Sequence, residues 1–239
     1  MKFEEIAVRF PKQRPVLTEE YQAIHDNERI RNRKGEGGLA RAVMSLETWM
    51  QRSVLGEGGK LLEIGAGTLN HVPFEKNLEA YDVIEPFKAL YQSSPYLKMV
   101  NHIYAGIDEI PLEKKYNRIV SVAVLEHLED LVRIMARVGL HLEEGGECLS
   151  AIPTEGGLLW GLGWRCTTGL SYRFRTGLDY SKMLRHEHIN DASEIEEVLR
   201  FFFKRVEVKR FPTPLFHLSF YSCYRATEPI RERCERFAF

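Results

Sequence analysis

The stretch Leu61–Gly67 (LLEIGAG) decides the fold, because a short apolar run passes directly into two glycines. Such a run is typical of a buried strand that ends in a tight turn leading into a helix. Glycine at this turn lets backbone N–H groups approach a ligand, since no Cβ stands in the way. We therefore predict a central strand over residues 60–64 and a ligand beyond its carboxyl end.

Outward from this stretch, apolar runs alternate with amphipathic helical stripes, which predicts a parallel sheet with helical crossovers. The further predicted strands are Glu79–Glu85, Val100–Ala105, Arg118–Val124, Glu147–Ile152, Lys204–Phe211 and His217–Tyr224. One predicted helix spans 128–142 and closes at 144–146, and another begins at a capping box of Ser193 and Glu196. The expected fold is α/β, with a Rossmann-like, doubly wound, mostly parallel sheet of seven strands.

Two segments stand apart from this alternation. Residues 1–57 are expected to form an N-terminal helical cap, with one helix from Thr18 to Arg33 and a second with its apolar stripe between Leu39 and Met50. Residues 154–192 form a glycine-rich insert without a clear period, placed after the fifth strand of a main domain over 58–239. Cap, domain and insert are predicted to be one structural unit.

Composition excludes several classes of protein. A formal net charge of −1 and a pI near 6.7 provide no global basic field, so no nucleic-acid partner is expected. The four cysteines form neither a zinc signature nor a dense disulfide framework. The beginning of the chain lacks the apolar core of a signal peptide, and no apolar stretch is long enough to span a bilayer. A cytoplasmic protein, monomeric or homodimeric, is predicted.

The predicted strand ends bring together the residues able to bind a cofactor. Glu63, Gly65, Ala66 and Gly67 follow the first strand, and Glu85 ends the second. A carboxylate at such a position accepts hydrogen bonds from both hydroxyls of a ribose. The nicotinamide-binding pattern G-x-G-x-x-G is not met, because its third glycine position holds Asn70.

These residues carry a resemblance to a known family. The E-I-G-A-G-T motif, Glu85, and V-L-E-H-L after strand four resemble the class I S-adenosylmethionine-dependent methyltransferases, in their type 11/12-like small-molecule branch. The resemblance covers roughly residues 58–153, and it implies S-adenosyl-L-methionine as the cofactor. Two departures stand out: the third glycine of the first motif is Leu69, and the usual acid of the adenine loop is Gly106.

The resemblance also implies residue roles. Gly65–Gly67 would face the methionine part of the cofactor, and Glu85 would hold its ribose. The remaining implied cofactor contacts are Gly106, Ile107 and Asp108 around the adenine, and Val122, Ala123 and Val124 beside the methyl group.

The insert is the predicted acceptor site. Between Leu159 and His186 it holds five basic residues (Arg165, Arg173, Arg175, Lys182 and Arg185) against Asp179 alone, a local excess of +4. Arginine suits bidentate contacts with carboxylate or phosphate. We expect a lid over a small anionic acceptor, with Trp160, Trp164, Arg173 and Arg175 as its binding residues. The alternative is a surface excursion whose tryptophans pack on the sheet edge.

His186-Glu187-His188 is the most suggestive acid–base cluster, because histidine titrates near neutral pH. His186 and His188 are the candidate catalytic residues, although a histidine at position 188 could instead be architectural. A metal site is not predicted, because the motif offers no evident third ligand.

The predicted function is methyl transfer to an O or N atom of a small acceptor, such as a sugar, a lipid-linked sugar or a quinone-like precursor. Peripheral membrane contact through the insert is compatible with this prediction. The alternative is a catalytically silent binding protein that uses Trp49, Phe237 and Phe239 as an interface.

Overall fold

The first strand forms where the apolar run predicts it, at the centre of a sheet. A computed structural model of the protein describes residues 5, 8–24 and 48–239. In these residues the strands are β1 (Lys60–Ile64), β2 (Ala80–Ile84), β3 (His102–Tyr104), β4 (Tyr116–Val122), β5 (Leu142–Pro153), β6 (Phe203–Pro212) and β7 (Ser219–Pro229). The main helices are α1 (Lys88–Tyr91), α2 (Leu131–His141), α3 (Leu158–Trp164), α4 (Leu170–Thr176), α5 (Tyr180–Glu187), α6 (Ala192–Phe202) and α7 (Arg231–Phe237).

The order of the strands places the functional edge of the sheet. Across the described sheet the order is β3-β2-β1-β4-β5-β7-β6, and β1 pairs in parallel with β2 on one side and β4 on the other. The strand order therefore reverses between β1 and β4, which opens a crevice beyond their carboxyl ends. Strand β7 runs antiparallel to both of its neighbours in the described sheet, β5 and β6. The predicted Rossmann-like, mostly parallel, seven-stranded fold is confirmed.

Side chains of β1 alternate between two hydrophobic clusters, as the period of a strand requires. Leu62 and Ile64 belong to the cluster that includes residues of α2 and α6. Leu61 faces the opposite cluster, where Met50 and Val54 cover the sheet. Because both faces of β1 are covered, the strand has no room for the polar alternation of a surface strand.

Two predicted boundaries are wrong for identifiable reasons. Strand β5 begins at Leu142, the last residue of the predicted helix, and it includes residues 144–146, which were predicted to close that helix. A shift in the β4–β5 register absorbs the extra residues, and Gly145 accommodates it with φ +76°. The cap of α6 is Asp191 rather than Ser193, because its side chain accepts the Glu194 N–H, so the predicted capping box does not form.

The insert is helical rather than irregular. Helices α3, α4 and α5 occupy most of it, and the π-helical turn Arg165–Gly169 joins the first two. Glycines in the insert do not break α3, because Gly163 packs against β7: a Cβ there would lie 3.0 Å from Phe220. Tertiary contact thus outweighs the low helix propensity of glycine.

The predicted N-terminal cap falls largely outside the described residues. Leu39, Val43 and Leu46 of its apolar stripe lie there, as does the segment that ends at Arg33. Residues 19–24 and 48–53 are helical. Tyr21 reaches the insert, where its hydroxyl accepts the Asp179 N–H at 3.0 Å. The cap as a whole remains a prediction.

Candidate active site

Two adjoining cavities lie beyond the carboxyl ends of the central strands. Their volumes are about 440 and 550 Å³, and both are lined by Gly65, Leu90 and Ala123. The smaller cavity is lined by Glu85, and the larger by Glu63. The crevice predicted from the strand order is therefore an elongated site, divided at the glycine turn.

Gly65 is required at this turn by its conformation and by its neighbour. Its φ is +69°, in the left-handed region that disfavours other residues. A Cβ at Gly65 would also lie 2.5 Å from Cγ2 of Val124. The bare backbone of Gly65 forms part of the cavity wall, as the sequence predicts.

Leu69 preserves the turn although it replaces the third glycine of the motif. Its φ is +66°, so a leucine adopts the conformation for which the motif otherwise uses glycine. The Leu69 side chain is fully buried, and its N–H donates to the Ala66 carbonyl at 2.8 Å. Core packing therefore holds the turn at this position.

Glu85 joins the ends of two strands. Its side chain is buried; Oε2 accepts the Gly67 N–H at 2.8 Å and Oε1 accepts the Phe87 N–H at 2.9 Å. A carboxylate oxygen has two lone pairs, so each oxygen keeps one for a ligand hydroxyl. The side chain is thus positioned before any ligand arrives.

Glu63 is the second buried acid of the site. Burial raises the pKa of its carboxyl, against the opposing influence of His71 and of the Tyr81 hydroxyl. That hydroxyl donates to Oε2 of Glu63 at 2.6 Å. Glu63 lines the larger cavity beside Ala66 and Gly67, two of the turn residues for which the resemblance implies contact with the methionine part of the cofactor; that role stays a prediction.

The predicted adenine loop divides into two parts. Gly106 and Ile107 line the smaller cavity with Glu85, whereas Asp108 is half exposed and pairs with Arg133 at 2.5 Å. Phe87, which follows the second strand, also lines that cavity, and it was not among the predicted contacts.

Residues 122–124 form the floor between the two cavities. Val122 lines the larger cavity, Val124 the smaller one, and Ala123 both. Ala123 has a φ of +53° and donates its N–H to the Ala151 carbonyl at 2.8 Å. The backbone therefore turns sharply where a reacting group would lie.

Of the two candidate catalytic histidines, the structure brings His188 to the site. Its Nδ1 lies 2.5 Å from Oε2 of Glu155, and its ring makes an edge contact with His127, which lines the smaller cavity. Burial would lower the pKa of His188, but the Glu155 hydrogen bond and nearby acids outweigh it, so the pKa is raised. The ring of His186 instead contacts the Pro15 carbonyl at 2.8 Å.

The insert encloses a third cavity, of about 850 Å³. Its wall includes Trp160, Trp164, Tyr180, Arg165, Arg173 and Arg185. Arg175 instead lies over the Tyr172 ring, with its guanidinium carbon 5.9 Å from the ring centre. Glu155 also lines this cavity, so its hydrogen bond to His188 links the insert to the strand-end site.

The fold is shared with several solved methyltransferases. A protein from Thermotoga maritima described as a possible histamine N-methyltransferase has a TM-score of 0.56 at 16% identity, over 87% of this chain and 96% of that one. Phosphoethanolamine N-methyltransferase 2 of Haemonchus contortus, in complex with S-adenosyl-L-methionine, has a TM-score of 0.52 at 14% identity, over 77% and 52% of the two chains. The N-methyltransferase NodS of Bradyrhizobium japonicum has a TM-score of 0.50 at 15% identity, over 77% of this chain and 96% of that one.

Sequence comparison decides the family. No curated protein matches the sequence. A family model described as a methyltransferase domain matches residues 31–200. The chain belongs to this methyltransferase family. The cofactor is S-adenosyl-L-methionine, and the wall at Gly65, which a Cβ would fill, and the prepositioned carboxylate of Glu85 fit such a ligand.

Replacing Gly65 with alanine should abolish cofactor binding, because the new Cβ meets Val124 and intrudes on the cavity wall. S-adenosylhomocysteine at 100 times its Kd should stabilise the wild-type methyltransferase by about 2.7 kcal/mol, measured as a rise in Tm. Gly65→Ala should show no such rise.

Gly145→Ala is the matched control, since Gly145 also has a positive φ but a Cβ there would meet no atom within 4 Å. This variant should keep the ligand-dependent rise in Tm. A full rise in Gly65→Ala would contradict the assignment of the turn to the cofactor site.

Proposed function

We propose that this methyltransferase methylates an O or N atom of a small anionic acceptor held in the cavity of the insert. The main support for this proposal is the wall of that cavity, which is lined by both arginines and aromatic rings. Arginine forms bidentate hydrogen bonds with carboxylate or phosphate, and aromatic faces pack against apolar ring surfaces. A charged sugar, a lipid-linked sugar or a quinone-like precursor would use both kinds of contact.

The name of one structural neighbour supports a phosphorylated acceptor, whereas another neighbour is described as a possible histamine N-methyltransferase. The first is a phosphoethanolamine N-methyltransferase, so a phosphorylated acceptor has a precedent on this fold. Among described residues, the four cysteines are free thiols, which supports the predicted cytoplasmic location.

Residue roles follow from the two linked sites. Glu85 would hold the ribose, residues 65–67 the methionine part, and Gly106 with Ile107 the edge of the adenine. When bound, the cofactor supplies an electrophilic methyl group on a sulfonium. The chain's own contribution is to orient the acceptor against that group, which provides much of the rate in such transfers. We assign the catalytic role to His188, because its Nδ1 is hydrogen-bonded to Glu155 of the insert cavity and its ring contacts His127 of the cofactor cavity.

A catalytically silent binding protein is less well supported. Two of the three residues predicted for its interface pack within the chain: the Trp49 ring lies 5.2 Å from the Phe211 ring in a tilted arrangement, and Phe237 contacts Phe201 and Phe202. The methyltransferase also retains a prepositioned acid in Glu85, which a silent domain would not need.

The acceptor charge can be tested with matched compounds. Release of S-adenosylhomocysteine should be measured with hexose phosphates and uronic acids, and with the corresponding neutral hexoses. The anionic members should be the better substrates. Arg173→Ala should raise their KM about 10- to 100-fold, since a hydrogen bond to a charged group is worth about 1.5–3 kcal/mol.

Arg205→Ala is the control, because Arg205 is an exposed arginine on β6, paired with Glu228. It should leave KM unchanged, and the Kd of S-adenosylhomocysteine should stay the same in both variants. Preference for neutral sugars, or equal loss of acceptor and cofactor binding in Arg173→Ala, would contradict the proposal.

The rim of the insert supports peripheral contact with a membrane. Leu158 and Leu162 on α3, and Leu170 and Phe174 on α4, are exposed pairs four residues apart. Apolar helix faces bordered by arginine are typical of helices that lie at an anionic bilayer surface. The three leucines, at 158, 162 and 170, line the insert cavity, so its mouth would open towards lipid. No described helix is long and apolar enough to cross a bilayer.

Vesicle sedimentation tests this contact. The methyltransferase should sediment with vesicles containing phosphatidylglycerol and less with pure phosphatidylcholine, because the insert is basic. The double substitution Leu162→Ser, Phe174→Ser should release it, whereas Leu112→Ser, at an exposed leucine outside the insert, should not. Equal sedimentation of the double variant and the wild type would refute a membrane role for this rim.

A further inference from the structure

One carboxylate and two imidazoles converge between the cofactor cavity and the insert. Glu126, His127 and His188 each present one ligand atom, and these atoms lie within 4.8 Å of one another. Glu126 and His127 are adjacent in a short 3-10 turn after β4, whereas His188 follows α5. The sequence motif 186–188 could not reveal this set, because two of its members come from a distant part of the chain.

The carboxylate of Glu126 has an unmet requirement. Its side chain is 2% exposed, and its Oε2 has no hydrogen-bond partner among the described residues. A buried, unpartnered carboxylate oxygen is costly unless a cation or donor compensates for it. Oε1 lies 3.9 Å from Nε2 of His127, too far for a hydrogen bond.

Both imidazoles are oriented in the manner of metal ligands. Nδ1 of His127 lies 2.7 Å from the Glu187 carbonyl, and Nδ1 of His188 lies 2.5 Å from the Glu155 carboxylate. Because both partners are acceptors, each Nδ1 must donate, so in the neutral form of each ring the lone pair lies on Nε2 and is available to another ligand. Histidines that bind metals almost always donate their second nitrogen to a carbonyl or carboxylate in this way.

We infer that Glu126, His127 and His188 bind a divalent first-row transition-metal cation. Two imidazoles and one carboxylate form a common donor set for such ions, with positions left open for other ligands. Metal–ligand distances of about 2.0–2.2 Å require the three side chains to move inward by roughly 1 Å. The negative charges of Glu155 and Glu187 nearby favour a cation, while Arg14, bonded to the carbonyls of residues 127, 186 and 187, opposes it.

The place of this cation suggests what it would bind. His127 lines the cofactor cavity, and Glu155, the partner of His188, lines the insert cavity. An open coordination position there would take an oxygen of the acceptor and polarise it. This role rests on the proposed function, whereas the binding of the cation itself does not.

Cobalt(II) is the probe that tests the site, since it binds such donors and its visible absorption reports their geometry. The purified full chain, freed of metal by a chelator, should take up one Co²⁺ per molecule in equilibrium dialysis. His188→Asn and Glu126→Gln should each weaken uptake at least about tenfold, and Glu155→Gln by about 10- to 100-fold because it orients a ligand. His186→Asn, from the same motif but outside the ligand set, should bind Co²⁺ as the wild type does.

A second measurement needs no variant. Co²⁺ should protect His127 and His188 of the wild-type chain from diethyl pyrocarbonate, as mapped by mass spectrometry, while the exposed His102 stays reactive. Failure of the wild type to bind Co²⁺, or unchanged affinity in His188→Asn and Glu126→Gln, would overturn the inference. A chain that methylates anionic acceptors but takes up no cobalt would overturn the cation site alone, and the converse result would overturn only the proposed acceptor.

Discussion

The hydrogen bond from the Gly67 N–H to the Glu85 carboxylate is the interaction on which the site depends. It ties the turn after β1 to the end of β2, and the second oxygen of the same carboxylate holds the chain as it leaves β2. Charged acceptors form strong hydrogen bonds with backbone donors, so both segments are fixed together. The turn and the strand end that frame the cofactor site are therefore held by backbone hydrogen bonds to one acid, Glu85.

Because the turn is held through its backbone, its geometry determines which substitutions we expect it to tolerate. We expect Gly65 not to tolerate a side chain, because Val124 fills the space that a Cβ would need. Leu69 can replace a glycine, because its left-handed backbone is compensated by complete burial of the side chain. The glycine motif does not distinguish these two cases. Gly65 meets a steric requirement, whereas position 69 needs only a left-handed backbone, which a buried leucine adopts.

The sequence predicts the sheet well and the insert poorly, for physical reasons. Short apolar runs such as Arg118–Val124, placed between helical stripes, are typical of buried strands in a parallel sheet, so this strand can be located from the sequence to within about two residues. Helix α3 cannot be predicted from local sequence, because its glycines disfavour a helix and the contact between Gly163 and Phe220 involves a distant strand. The helix cap at Asp191 is also hard to predict from the sequence, because Ser193, two residues later, is an equally suitable capping residue.

In the site, too, residues placed by local sequence patterns can be predicted, whereas contacts between segments far apart in the sequence cannot. Residues at strand ends, such as Glu85, follow from the alternation of the chain. Contacts between distant segments do not follow from it. Asp108 pairs with Arg133, and Glu155 is hydrogen-bonded to His188, but no local sequence pattern predicts either pair. These long-range pairs are what distinguish the candidate catalytic residue His188 from its neighbour His186.

The binding of S-adenosylhomocysteine by isothermal titration calorimetry tests the central claim most directly. The account predicts one site per chain and a Kd raised about 10- to 100-fold in Glu85→Gln, the cost of weakening a hydrogen bond to a charged acceptor. Glu79→Gln, an exposed acid just before the same strand, should bind as the wild type does. Equal affinity in Glu85→Gln, or no binding by the wild type, would contradict the account.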